Sequence, residues 1–211
     1  MDEMPELPPR LLPRRVPGLV PELFTDRLHL RAWMPSDRVP FARVNSDVAV
    51  MQYFPAVLSK EESNQLVDRF ITHFARHGFG PWAAETRDQS EFIGYIGLAV
   101  PRFEAAFTPC VEIGWRLAAS HWGRGLAFEG AQAVVRHAFS ILDLTELVSF
   151  TVPANRRSRS VMEKLRMTRD PADDFEHPQL PAGHPLRRHV LYRLTRDAWL
   201  ARQLGVSSAL Y

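Results

Sequence analysis

Residues 120–142 read SHWGRGLAFEGAQAVVRHAFSIL. Two glycines, Gly123 and Gly125, flank Arg124 and lead into a stretch with helical apolar spacing, from about Gly125 to Leu142. Backbone N–H groups at the start of a helix have no intrahelical acceptor, and the helix macrodipole puts partial positive charge there. Glycine lets backbone approach a ligand closely, so residues 123–127 suit a phosphate cradle with Arg124 as an added cation. A tight strand-to-helix turn would use the same residues. Two other phosphate motifs are excluded. A Walker A loop needs Lys-Ser or Lys-Thr after its last glycine, and a dinucleotide fingerprint needs glycine where Phe128 stands.

Working outward, CVEIGWRLAA (110–119) is a largely apolar strand feeding this turn, and ELVSFTV (146–152) is a strand after the helix. NRRSRSVMEKLRM (155–167) follows as a helix with Asn155 as its N-cap, then the strand RHVLYRLT (188–195) and the short helix RDAWLARQL (196–204). On the N-terminal side, PWAAETRD and EFIGYIGLAVPRF form a strand pair turning at DQS (88–90). SKEESNQLVDRFITHFARHG (59–78) is a strong helix, with a Ser59/Glu62 capping box and Gly78 at its end. SDRVPFARVNSD (36–47) predicts a serine-capped short helix interrupted by Pro40, and FTDRLHLRAW (24–33) one strand. Strands mixed with helices predict an α/β fold with helices on both faces of a sheet.

Three motifs in this order, EIGWRLA, WGRGLA and NRRSRSVMEKLRM, resemble the GCN5-related N-acetyltransferases (GNAT), and within them the RimJ/RimL-like branch of ribosomal-protein N-terminal acetyltransferases. The likeness runs from about Phe24 to Thr195. It implies a single-domain GNAT fold with a mixed, mostly antiparallel central sheet and acetyl-CoA in the cleft between two splayed central strands. It also implies that the loop Trp122, Gly123, Arg124, Gly125, Leu126 and Ala127 binds the pyrophosphate of acetyl-CoA. Trp122 stands where the family usually has Gln or Arg. Backbone at Trp115, Arg116 and Leu117 would pair with the pantetheine arm, and Asn155 and Ser158 would face the cofactor.

Acetyl transfer to an amine needs a neutral amine, a polarised thioester oxygen and a stabilised leaving thiolate. Many relatives supply an acid from a tyrosine on the helix after the asparagine; here Met162 holds that place, and Arg166 replaces a usual glycine. Glu112, a carboxylate within an apolar strand, is the candidate base, since burial would raise its pKa. Its other reading is a solvated charge or a structural partner for an arginine. Ser158 is the candidate partner of the thiolate, or else an ordinary surface serine. Cys110 precedes a strand and has no evident base, so a covalent acetyl-cysteine route is not expected.

Trp33, Trp82, Phe54 and Tyr53 are candidate pocket walls, although such aromatics more often belong to a core. His177, His184 and His189 lie in a loop with Asp173, Asp174 and Glu176, at a spacing that matches no compact ligand set, so no metal is expected. That loop would instead line the acceptor site, its carboxylates attracting a cationic amine.

The net charge of +2 is spread in small clusters, which argues against nucleic acid as a partner. No apolar run is long enough to span a membrane, and the N-terminus lacks the order of a signal peptide. With a single cysteine, the chain is expected to be cytoplasmic. A proline-rich arm over 1–22, one domain over 23–204 and a tail over 205–211 are the expected divisions. A homodimer is compatible with the branch. The expected function is an N-acetyltransferase acting by direct attack in a ternary complex, on a protein N-terminus or a small amine. The alternative is an acyl-CoA-binding protein of the same fold without turnover.

Overall fold

The computed structural model describes residues 20–204, so most of the expected arm and the whole of the expected tail lie outside the described residues. Two compact units account for the rest: 20–99 with 113–136, and 100–112 with 137–204.

In the first unit, β1 (Leu23–Phe24) and β2 (Leu28–Arg31) are antiparallel, with Phe24 opposite His29. The single strand expected from Phe24 is therefore a tight hairpin. Its turn is closed by Thr25, whose N–H donates to the Leu28 carbonyl (2.9 Å) and whose hydroxyl accepts from the Leu28 N–H (2.8 Å). A 3-10 turn (Pro35–Asp37) leads into α1 (Arg38–Ser46). Pro40 does not interrupt α1, because it is the third helical residue, where no intrahelical acceptor awaits an N–H. Nor does Ser36 cap it. The Asp37 carboxylate instead accepts from the Met34 N–H (2.8 Å) and from Arg31 Nη1 and Nη2 (2.7 and 2.9 Å).

Asp47 caps α2 (Val48–Met51). The capping box of α3 (Lys60–His77) forms as expected: Ser59 N–H donates to the Glu62 carboxylate (2.7 Å) and Glu62 N–H to Ser59 Oγ (3.1 Å). Gly78, with φ at 75°, closes the helix.

β2 pairs antiparallel with β3 (Pro81–Thr86), and β3 with β4 (Phe92–Ala99). β5 (Glu112–Leu117) lies against β4, where the Ala118 N–H donates to the Ile93 carbonyl (2.8 Å). Gly94 makes that approach possible. Its φ is 136°, and a Cβ there would sit 2.1 Å from the Arg116 carbonyl oxygen. α4 (Leu126–Ser140) lies close over the strands because Gly130 has no side chain to meet Ile96. Phe41, Val44, Val50, Met51 and Val67 form a core packed by Trp33, Phe70, Phe92 and Tyr95. Trp82 is a core residue and not a pocket wall: it is fully buried and its indole N–H donates to the Pro21 carbonyl (2.6 Å).

In the second unit, β6 (Glu146–Thr151) meets Glu112 in parallel at Val148, and Val148 N–H donates to the Val111 carbonyl (2.9 Å). β6 runs antiparallel to β8 (Arg188–Thr195), which carries the two-residue β7 (Phe175–Glu176) on its other edge. α5 (Arg156–Lys164) is capped by Asn155, and α6 (Arg196–Gln203) by Thr195. Arg166, at the position where glycine is usual, adopts φ of 62°, the conformation a glycine would take.

The loop before β8 is not a field of open carboxylates. Asp173 pairs with Arg193 (2.7 Å), Asp174 with Arg169 (2.5 Å) and Glu176 with Arg187 (3.3 Å). The His177 and His189 rings lie 5.1 Å apart, tilted, among Phe103, Phe150 and Phe175, and burial pulls His177 down to about 4, so it is neutral at pH 7. Among the described residues, no group of three His, Cys, Asp or Glu side chains could hold a metal, and no helix is long and apolar enough to cross a membrane.

Candidate active site

Both glycines of the 123–127 loop need to be glycine for one reason: Gly123 has φ of 74° and Gly125 of 80°. A Cβ on Gly123 would meet nothing within 4 Å, and one on Gly125 only Arg27 Nη2 at 3.6 Å, so the loop's face is open. The first α4 bond runs from the Glu129 N–H to the Gly125 carbonyl (3.0 Å). The amides of Leu126, Ala127 and Phe128 therefore precede the helical ladder. Open backbone, leading amides and the neighbouring Arg124 fit a diphosphate. Trp122 fastens the loop to the strand before it, its indole N–H donating to the Leu117 carbonyl (2.9 Å).

Three residues that steady this loop were not legible in the sequence. Thr25 and Arg27, in the β1–β2 hairpin turn, hold Glu129 in the first turn of α4. Thr25 Oγ1 and the Arg27 N–H donate to Glu129 Oε1 (2.6 and 2.9 Å), and Arg27 Nε to Oε2 (2.6 Å). Arg27 Nη1 also donates to the Arg124 carbonyl (2.9 Å). Burial alone would raise the Glu129 pKa; the bonds from Thr25 and Arg27 outweigh it and hold the carboxyl below its ordinary value. The one local signal was an acidic residue in a helix's first turn.

Along β5, backbone directions alternate. The Arg116 carbonyl faces Gly94 of β4, so Trp115 and Leu117 are the positions turned the other way. The Arg116 side chain is buried and reaches Asn45 of α1, whose Oδ1 accepts from Nη1 (2.6 Å).

Glu112, Asn155 and Ser158 belong to the second unit, whereas Trp115, Arg116, Leu117 and residues 122–127 belong to the first. Glu112 has no ion-pair or hydrogen-bond partner for its carboxylate among the described residues, and burial alone pushes its pKa to about 8. Nearby in sequence, burial pushes the Cys110 thiol up to about 12, with the Glu112 charge adding to it; Cys110 is a thiol at neutral pH and a poor nucleophile. Asn155 Oδ1 accepts from the Ser158 N–H (3.2 Å), and its Nδ2 donates to Thr151 Oγ1 (3.0 Å). Its amide is thus oriented from both ends. Met162 is buried core. Tyr192 is tied between Glu163, to which it donates (3.0 Å), and Arg159 Nε, from which it accepts (3.3 Å).

Residues 27–168 match the family model of the acetyltransferase (GNAT) domain. The chain belongs to the GNAT family. It is 32% identical over 191 residues to an Aspergillus fumigatus protein named FsC-acetyl coenzyme A-N(2)-transacetylase, covering 87% of this chain and 80% of that one. An Agrobacterium tumefaciens acetyltransferase of known structure shares 26% identity at a TM-score of 0.68, covering 86% of this chain and 98% of its own. Mycobacterium smegmatis RimJ, solved in complex with CoA-disulfide, is 18% identical at a TM-score of 0.65, covering 90% and 96%; that likeness is one of fold. The α/β GNAT fold with mostly antiparallel strands is therefore established, and with it an N-acetyltransferase. GNAT acetyltransferases use acetyl-CoA.

Proposed function

We propose that this GNAT protein transfers an acetyl group from acetyl-CoA to the primary amine of a small molecule or a protein N-terminus, with Glu112 as the proton acceptor. The observation that carries the reading is the unpaired Glu112 carboxylate with its pKa near 8. A carboxyl at its ordinary value is too weak a base for an ammonium; one tuned close to the working pH accepts the proton and releases it afterwards. Residues 123–127 with Arg124 hold the diphosphate of the donor, Trp115 and Leu117 offer backbone to its arm, and the fixed amide of Asn155 offers a further hydrogen bond. Acetyl-CoA supplies the activated thioester. Glu112 takes the proton lost by the amine as the new C–N bond forms, and the Ser158 hydroxyl donates to the departing sulfur. The buried Cys110 thiol leaves direct attack by the amine as the favoured course. The order of the three motifs supports membership of the RimJ/RimL-like branch. The relative named as an N(2)-transacetylase supports nitrogen as the acceptor atom.

Thiol release with an amine panel tests this. Glu112→Gln should lower kcat by about 100-fold or more while acetyl-CoA binding is retained. In the wild type, kcat/KM should rise with pH through about 8, since the base works only when ionised, and that limb should vanish in the variant. An unchanged rate and pH profile would remove Glu112 from the chemistry. Equal cofactor binding with no thiol release by either protein would return the non-catalytic reading.

A further inference from the structure

We infer that the Arg116 side chain recognises a carboxylate on the acetyl acceptor, so that the substrate class is amines bearing a carboxylate, as amino acids do. The inference rests on the acetyltransferase reading and adds the acceptor. Arg116 is 9% exposed. A guanidinium stays protonated in a protein, and taking its charge out of water is unfavourable unless an anion compensates. No carboxylate lies within ion-pairing distance of it among the described residues. Its Nε is buried without a hydrogen-bond partner, and Nη1 reaches only the neutral Asn45. Burial accordingly lowers its affinity for the proton.

The surroundings are built to orient this group rather than to neutralise it. Asn45 Nδ2 donates to Ser63 Oγ (2.8 Å), which fixes the amide with its oxygen toward Arg116. One face of the guanidinium lies under the Phe54 ring, 4.1 Å from its centroid, and Tyr95 stands at 5.8 Å. Phe54 is itself 36% exposed and sits between α2 and α3 in a segment (52–57) of mostly exposed residues. The exposed Phe54 ring thus covers one face of a preorganised cation that has no carboxylate partner among the described residues. The planar fork matches a carboxylate through paired N–H donors, and Arg116 follows Trp115 on the strand proposed to run along the donor's arm.

The test uses wild-type protein, acetyl-CoA and paired acceptors, each amino acid against its own amide, at pH values giving matched fractions of neutral amine. Wild type should favour the carboxylate member by at least about tenfold in kcat/KM, mostly through KM. Arg116→Met should collapse that ratio to within about twofold, and Arg116→Lys should restore part of it. Wild type with no preference, or a ratio that survives in Arg116→Met, overturns the inference. Should Arg116→Met not fold, Arg116→Gln removes the charge while keeping a polar chain; a ratio that survives there also overturns it. Calorimetric binding of the same pairs measures the preference independently of turnover, and equal affinities for acid and amide would likewise overturn it. Absence of thiol release with every amine tested would sink the acetyltransferase reading, whereas release without carboxylate preference sinks only the role of Arg116.

Discussion

Two arginines are buried in the same unit, and they are treated in opposite ways. Arg31, on β2, donates to Asp37 at 2.7 and 2.9 Å and to Glu85 at 2.8 Å. Arg116, on β5, has an amide oxygen, two aromatic rings and no carboxylate among the described residues. Burial lowers the pKa of both guanidiniums; for Arg31 the bonds and charges of Asp37 and Glu85 more than reverse this, and for Arg116 Tyr95 opposes it without reversing it. Arg31 is thus a structural ion cluster that fastens the 3-10 turn before α1 to the sheet. Arg116 is held ready for a charge that the fold leaves out. The difference teaches how to read a buried charge: its partners, more than its burial, say whether it serves the fold or a ligand.

Breaking the compensated side should have the largest effect. Asp37→Asn keeps the shape, removes one carboxylate charge from a buried arginine and weakens the acceptor for Met34 N–H. The loss should be about 3 kcal/mol, a fall in Tm of roughly 6–12 °C in a chain of this size. Thermal unfolding checks it, and a shift under about 1 kcal/mol would mean that Glu85 alone compensates Arg31.

Glu112 is the acidic counterpart of Arg116, a half-buried carboxyl with no ion-pair or hydrogen-bond partner among the described residues, and its effect should be intermediate and pH-dependent. Its folded pKa of about 8 lies above the ordinary 4.5, so the protonated form is the one the fold favours. That contribution to stability is fully present below about pH 4.5 and is lost as the pH rises through about 8. Glu112→Gln does not titrate. The variant should match the wild type at pH 4.5 and exceed it at pH 9 by about 2 kcal/mol, less than half of the roughly 4.8 kcal/mol the full shift would give because the side chain is only half-buried; denaturant melts at the two pH values would measure it. Equal stability at both would mean that water reaches the carboxylate.

What the sequence disclosed follows from how far apart the partners lie. The Ser59–Glu62 box, Gly78 and the Asn155 cap were legible because each is settled within a few residues. The 123–127 loop was legible in outline, although its glycines answer to positive φ and not to close contact in the protein itself. The hairpin after Phe24 was hidden, since alternating polarity runs through the Thr25 turn without a glycine or proline to mark it. Pro40 misled because its position in the helix depends on a start set by Asp37 and Arg31. Arg27 with Glu129 and Arg116 with Asn45 join positions 102 and 71 residues apart, and no local pattern announces either pair. The carboxylates of the 170–189 loop read as open although Arg169 and Arg187, close in sequence, and Arg193, 20 residues from Asp173, hold them; no local pattern says which arginine takes which carboxylate.

The smallest expected effect is the sharpest test of the contrast. If Arg116 served the fold as Arg31 does, Arg116→Met would be as damaging as Asp37→Asn. If it waits for a ligand, replacing an uncompensated buried cation with a flexible apolar chain removes a desolvation penalty, while the bond to Asn45 and the stack on Phe54 are lost. These opposing effects are each of about 1–2 kcal/mol, so stability without acceptor should change by less than about 1 kcal/mol in either direction. A loss near 3 kcal/mol would assign Arg116 to the fold. A near-zero change, together with a lost stabilisation by amino acids in the same melts, would assign it to the substrate, since a ligand that binds only the folded state raises stability in proportion to its affinity.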